Sequence, residues 1–175
     1  MLVRFNQPDW NLAGEADELH RLLRFQHQVI SLRQAGRHLT RGQLRSKLHS
    51  GRWQVVHAGV LCAHNGQLSD SQRLWVASLA AGDGEPALLG GRTALGVLGL
   101  RGFEPERIDV LLPAGRREQN APGGVSVHRS AALAPCDVVV RGRPPSTTAA
   151  RSIVDAASWA ASDREAVTVV AMAFH

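Results

Sequence analysis

Apolar residues recur at helical spacing along residues 16–28, where Leu19, Leu22 and Leu23 fall on one face. A stripe of this kind predicts an amphipathic helix that packs against a core. Residues 1–14 have few periodic apolar positions. They are therefore predicted to form an extended N-terminal arm.

Two capping-box patterns follow the first predicted helix. Ser31 precedes Gln34 by three positions, and this spacing opens a short second helix. Thr40 and Gln43 repeat the spacing at the start of a third helix, predicted from residue 41 to about residue 50. Two capped helices joined by a tight turn are typical of a helix-turn-helix.

The period of the apolar residues changes after Gly51, which stands where a helix C-terminus favours glycine. Residues 52–57 are rich in β-forming side chains, residues 58–59 can turn, and the apolar run 60–63 follows. This pattern predicts a β-hairpin. Because a hairpin directly after a helix-turn-helix is the winged form of the motif, residues 15–65 are predicted to form a winged helix-turn-helix domain.

A polar turn at residues 65–67 separates this unit from a second one, residues 69–175, in which helices and strands mix. The patterns predict helices at 70–80, 90–100, 146–157 and 163–173, and strands at 107–112, 124–129 and 138–140. The predicted fold class is α+β, an N-terminal winged helix-turn-helix followed by a small mixed domain.

Positive charge is concentrated in the first predicted domain. The chain has a formal net charge of +5, from 20 Lys and Arg against 15 Asp and Glu. Residues 20–64 contain eight of the basic residues and no acidic residue. An acid-free basic segment of this length is typical of a surface that binds a polyanion. The alternative is a basic face that only solvates a small domain.

The third predicted helix has the side-chain arrangement of a DNA-recognition helix. Leu44 and Leu48 face one way, and the opposite side carries mostly small residues, among them Gly42 and Ser46. Small residues on this crest allow the helix backbone to approach the floor of the major groove.

Long hydrogen-bond donors flank the crest. Arg41 and Gln43 are predicted to read bases, because arginine can bridge guanine and glutamine can bridge adenine in the major groove. Arg45 flanks one edge of the helix. The nearby basic residues predicted to bind phosphates are Arg33, Arg37, Lys47 and Arg52. His57, at the hairpin turn, is placed either to touch DNA or to face solvent.

Cysteine and histidine usage favours neither a disulfide scaffold nor a metal site. Cys62 and Cys136 stand far apart without a second pair, which excludes a four-cysteine zinc site and favours a reducing cytoplasm. The histidines have no metal-ligand spacing. No cofactor is expected, and no apolar run reaches the length of a membrane span.

The second region offers only weak enzyme patterns. Ser126 and His128 alternate on a predicted strand, which does not by itself make a catalytic triad. The carboxylates that could suggest a metal site are Glu104, Glu106 and Asp109. A nuclease would usually add a lysine there, and the chain's one lysine, Lys47, lies in the third helix. The sequence therefore predicts no enzyme.

Several runs of sequence resemble the AbiEi-type antitoxins of abortive-infection (type IV) toxin–antitoxin systems. In the first domain they are residues 29–34, 40–41 and 48–60, with Ser50-Gly51-Arg52-Trp53 the most specific piece. In the second they are residues 92–95, 98–100, 127–130 and 145–155. The resemblance covers about residues 28–160.

The resemblance implies a winged domain that binds inverted repeats upstream of its own operon and represses transcription, with two copies on the repeat. The second domain would counter a nucleotidyltransferase-like toxin. The motif match assigns DNA contact to Arg33, Thr40, Arg41, Gln43, Arg45, Lys47 and Arg52. The full set of candidate DNA-contacting residues is Arg33, Arg37, Thr40, Arg41, Gln43, Arg45, Ser46, Lys47, Arg52 and His57.

Longer members of that family carry a C-terminal endonuclease-like domain. The sequence ends at residue 175, before such a domain, so no nuclease activity is expected. Two other functions stay open from sequence alone. One is a protein-interaction module whose winged helix has been repurposed, and the other is an inactive remnant of a longer nuclease-containing protein.

Overall fold

The computed structural model describes residues 15–101, 105–116, 121–140 and 144–173, which form seven α-helices and two β-sheets. The fold is mixed α+β, as the sequence predicts. The N-terminal arm predicted at residues 1–14 lies outside the described residues. The longest described helix has 12 residues, and the described segments hold no candidate membrane-spanning helix.

Three short strands form the first sheet, and two helices lie between the first and second of these strands along the chain. In chain order the elements are α1 (Glu15–Phe25), β1 (Val29–Ser31), α2 (Leu32–Ala35), α3 (Arg41–His49), β2 (Gln54–His57) and β3 (Val60–Cys62). The strands pair antiparallel in the order β1-β3-β2. The predicted hairpin is confirmed, and its turn contains Gly59 at φ +78°, a conformation that glycine adopts without strain.

Both predicted capping boxes are present. Ser31 Oγ accepts from the Gln34 backbone N–H while Gln34 Oε1 accepts from the Ser31 N–H, each over 3.0 Å. Thr40 and Gln43 make the same reciprocal pair at the start of α3. Each box satisfies backbone donors that a helix start otherwise leaves unpaired, so α2 and α3 begin where the sequence predicts.

The prediction that the first helix continues to residue 28 is wrong. α1 ends at Phe25, and His27 and Gln28 adopt φ values of +51° and +70°. This reversal turns the chain so that the buried strand β1 can pair with β3. Strand pairing and burial of Val29 therefore override the helical pattern.

The second sheet has five strands. The remaining elements are α4 (Asp70–Ala81), β4 (Leu88–Leu89), α5 (Gly91–Leu98), β5 (Ile108–Pro113), β6 (Val125–Ser130), a 3-10 turn (Pro135–Asp137), β7 (Val138–Val139), β8 (Ser146–Thr147), α6 (Ala149–Ser158) and α7 (Asp163–Ala173). The strand order is β6-β5-β4-β8-β7, with β5–β6 and β4–β8 parallel.

The helix predicted from residue 146 begins later. Ser146 and Thr147 form β8 between β4 and β7, and the helix starts at Ala149, with Thr148 as its N-cap. The sequence also does not reveal β4. Strands of two residues have no apolar period, so only their pairing in the folded chain defines them.

α4 lies between the two sheets. Trp75 and Leu79 pack against β1 and β3 of the first sheet, whereas Ala77 and Ala81 join the core of the second. A helix apolar on both sides is buried on both sides. The core is therefore continuous across α4, which begins just after the boundary predicted from sequence.

A loop after α4, residues 82–86, is fastened to both halves of the chain. Arg116 donates hydrogen bonds to the backbone carbonyls of Gly82, Glu85 and Pro86. Ser31 Oγ donates to the Gly84 carbonyl over 2.8 Å while it also caps α2. The loop thus holds the start of α2 against the end of α4.

Candidate nucleic-acid interface

α3 is a surface helix with one anchored side. None of its residues is fully buried, but Leu44 and Leu48 pack against the core cluster of α1, β1 and β3 that contains Trp53. Ser50 ends the helix, and Gly51 follows at φ +67°. The predicted inward side is therefore confirmed, and the opposite side faces solvent.

Arg41 and Arg45 are exposed, and neither makes a hydrogen bond or ion pair within the described part of the chain. They stand four residues apart, on adjacent turns along one flank of α3. Ser46, on the crest, is also exposed. Within the described residues both guanidinium groups are therefore unpaired, and they stand beside a crest of small side chains where an external acceptor can approach.

Gly42, also on the crest, is not required by the fold. A methyl group at this position would lie 4.0 Å from Thr40 Oγ1, its closest neighbour, and φ is not left-handed. Glycine within a helix costs about 1 kcal/mol relative to alanine. The chain therefore carries a destabilising residue where its own packing would accept a larger one.

Gln43, a predicted base reader, is committed to the helix cap. Its Oε1 accepts from the Thr40 backbone N–H over 2.8 Å and from Thr40 Oγ1 over 3.1 Å. A bidentate contact with adenine needs both the amide oxygen and the amide nitrogen. Gln43 would have to release the cap to make that contact, and Thr40 is likewise occupied by it.

Two predicted phosphate-binding residues are held in place at the C-terminal end of α3. The Lys47 ammonium lies 5.3 Å from the ring centroid of the buried Trp53, within the range of a cation–π contact. Arg52 Nε donates to Ser50 Oγ over 3.1 Å. Both cations are oriented by neighbours that carry no charge, so their positive charge is not neutralised.

The other predicted contacts differ in their surroundings. Arg33 is exposed next to Gly84, and His57 is half-buried at the end of β2. Arg37 pairs with Glu85 over 2.9 Å; the Arg37 side chain is exposed and that of Glu85 is half-buried. Acidic side chains from outside residues 20–64 therefore reach this segment in the folded chain: Glu85 at Arg37, Asp17 at Arg21 and Glu18 near His38.

Sequence reasoning missed the roles of Trp53 and Glu85. The contact between Lys47 and Trp53 could have been predicted locally, since Trp53 lies six residues after Lys47, just beyond the end of the helix. The Arg37–Glu85 pair spans 48 positions and depends on the 82–86 loop. Nothing in the local sequence indicates that pairing.

A cavity of about 160 Å³ in the second half contains the weak enzyme pattern. Asp109 Oδ1 lies 3.2 Å from His128 Nε2, and the His128 ring stacks on Trp159 with centroids 3.5 Å apart. Ser126 Oγ accepts from Arg107 Nε over 2.9 Å. The Asp109–His128 and Arg107–Ser126 contacts are two separate pairs, and no hydrogen bond or ion pair joins Ser126 to His128 within the described residues.

No metal or thiol chemistry is indicated in the described residues. They contain no group of three or more His, Cys, Asp or Glu side chains placed to hold a metal ion, and Glu104 lies outside them. Burial raises the pKa of the Cys62 thiol, which disfavours the reactive thiolate. Cys136 is exposed and unpaired with it.

The chain matches no protein-family model and no curated protein sequence.

Proposed function

We propose that residues 15–62 act as a winged helix-turn-helix that binds double-stranded DNA sequence-specifically, with α3 in the major groove. The observation that carries the proposal is the exposed flank of α3. There Arg41 and Arg45 have no partner within the described residues, while Leu44 and Leu48 fix the opposite side to the core. Arginine on an anchored helix is the commonest means of reading guanine.

The order of elements supports the same proposal. Helix, strand, two helices and a β-hairpin follow one another, and β1 completes the hairpin sheet beside α2 and α3. In a winged helix the second helix of the pair enters the groove and the hairpin lies beside it. That role falls here to α3 and the β2–β3 hairpin, whose turn follows His57.

The cellular role follows the AbiEi resemblance. In this proposal two copies bind an inverted repeat upstream of their own operon and repress it in the cytoplasm, and the second half counters a nucleotidyltransferase-like toxin. Co-expression tests the antitoxin part: growth should recover when the chain accompanies the toxin of a neighbouring gene, and unrelieved arrest would remove that part alone.

DNA binding is tested by fluorescence anisotropy of the full chain with a labelled duplex from its own upstream region and with a shuffled duplex of equal length. The upstream duplex should bind more tightly. Its affinity should fall with salt at a log–log slope of about −2.7, if Arg33, Lys47 and Arg52 each neutralise one phosphate. Absence of binding to either duplex at low salt would end the proposal.

We expect Gly42→Ala to change stability and DNA binding in opposite directions. Alanine should raise the unfolding free energy by up to about 1 kcal/mol, because the fold has room for the methyl group. On the DNA side that group would stand between the helix and the groove floor, weakening binding by roughly fivefold, or about 1 kcal/mol. Thermal melting and anisotropy measure the two effects.

The matched control is Gly96→Ala, in α5, where a methyl group also meets open space. It should stabilise the chain to a similar degree and leave DNA affinity unchanged. Equal affinity for Gly42→Ala and the unaltered chain would show that the crest does not approach DNA closely.

We expect Glu85→Gln to strengthen DNA binding. The substitution removes the acid that pairs with Arg37, so Arg37 becomes available to phosphate and local repulsion of DNA falls. One added phosphate contact changes the log–log salt slope by about −0.9. Stability should fall by about 1 kcal/mol or less, because the ion pair is partly exposed and Glu85 also favours the charged form of Arg116. Anisotropy over a salt series measures the slope.

Glu106→Gln serves as the control, since Glu106 is an exposed acid in the second half of the chain. The two variants have the same net charge. If both change the affinity and the salt slope equally, the effect comes from overall charge and Arg37 is not a phosphate contact.

A further inference from the structure

We infer that α3 reads two guanines in each half-site, through Arg41 and Arg45, and that Gln43 reads no base. The inference rests on the proposed function, because it specifies the bases that this helix selects. It also differs from the expectation based on sequence, which gave the second base contact to Gln43 and an adenine.

The N-terminal cap of α3 already uses the Gln43 side-chain amide oxygen that a contact with adenine would need. This oxygen closes the capping box with Thr40 through two hydrogen bonds, and no element outside α3 contributes to that arrangement. An adenine contact would exchange those bonds for new ones and leave the Thr40 N–H unpaired. The cap and the base contact therefore compete for one oxygen atom.

Within the part of the chain that the structure describes, the two arginines have no such competing partner. Arg41 and Arg45 are exposed, and no hydrogen bond or ion pair in the described segments holds either one. Two other cations near α3 are oriented by a neighbour: Lys47 lies over Trp53, and Arg52 Nε donates to Ser50 Oγ. Arg41 and Arg45 are therefore the arginines of α3 that no contact within the described residues holds, and the planar fork of a guanidinium group matches the O6 and N7 atoms of guanine.

The spacing of the two arginines sets the spacing of the guanines. Four residues of α-helix rise about 6 Å. Successive base pairs of B-DNA are separated by about 3.4 Å. Two arginines one helical turn apart on the same flank therefore reach positions within about three base pairs of each other, and the small residues Gly42 and Ser46 leave the groove floor open beside them.

The experiment selects duplexes from a randomised pool with the full chain and sequences those that are retained. The unaltered chain should enrich two G·C pairs within about three base pairs of each other. Arg45→Lys keeps the positive charge and loses the planar fork. It should lower the preference for guanine at one of the two positions about tenfold and leave the affinity for random duplex nearly unchanged.

Arg41→Lys should do the same at the other position. Gln43→Ala removes the side-chain amide that could otherwise contact adenine, and it should leave both selected bases unchanged. Thermal melting of the variant shows how much stability the loss of the cap costs. The inference is overturned if the selected motif lacks the two guanines, or if both lysine variants select the same motif as the unaltered chain. Either result leaves the proposal of DNA binding in place. Loss of an adenine preference in Gln43→Ala overturns the inference as well. Retention of no duplex at all overturns the proposed function and the inference together.

Discussion

Replacing both Arg41 and Arg45 by alanine is expected to weaken binding to the preferred duplex about a hundredfold, because each bidentate arginine–guanine contact contributes about 1–3 kcal/mol. Binding to random duplex should fall much less, since the phosphate-binding residues remain. The fold should be unaffected, because both side chains are exposed and unpaired within the described residues. Anisotropy with the two duplexes and a thermal melt measure these effects.

The control for this double variant changes charge elsewhere. Arg164→Ala removes an exposed arginine from α7, in the second half of the chain. It should leave binding to the preferred duplex within about twofold, as expected for an exposed charge remote from the contact. If the double variant binds the preferred duplex as tightly as this control does, the flank of α3 is not the DNA-reading surface.

Gly82→Ala is expected to produce the largest loss of stability of any single substitution considered for this chain. A methyl group at position 82 would overlap the carbonyl oxygen of Glu85 and lie 2.9 Å from both the Ala87 nitrogen and Arg116 Nη2. The 82–86 loop would have to open, and Arg116 would lose the carbonyls that it binds.

Overpacking with lost hydrogen bonds predicts a destabilisation of roughly 3 kcal/mol. For a chain of this length that is a fall of about 6–12 °C in Tm. Gly96→Ala is again the matched control and should hold or raise Tm, because its methyl group meets open space. If the Gly82→Ala chain has the same Tm as the unaltered protein, the loop adjusts freely and does not fasten α2 to α4.

The parts of the fold that local chemistry determines could be predicted from sequence. Ser31 and Thr40 define where α2 and α3 begin, because each closes a capping box with a glutamine three residues later. The β-forming residues on either side of the turn at Gly59 similarly predict the hairpin. In each case the signal and the structure lie within a few residues of each other.

The parts that depend on distant partners could not be predicted. β1, β4 and β8 have two or three residues each and exist because other strands pair with them. The same holds for the candidate site. Helical spacing predicts which side of α3 faces outward, but the Arg37–Glu85 pair depends on a loop 48 positions away.

Gln43 illustrates a conflict within one short motif. Its position three residues after Thr40 predicts a capping role, and its amide at the start of the helix predicts a base-reading role. One amide oxygen cannot serve both at once. Only the hydrogen-bond geometry decides between them, and it favours the cap in the free protein.

The placement of α3 against DNA is tested most directly by nuclear magnetic resonance on the ¹⁵N-labelled full chain, titrated with the selected duplex. If α3 enters the major groove, the amide shifts should be largest in α3 and the β2–β3 hairpin, with contacts between the Arg45 side chain and base protons. Shifts confined to the second sheet and α5–α7, with the α3 amides unmoved, would contradict this placement.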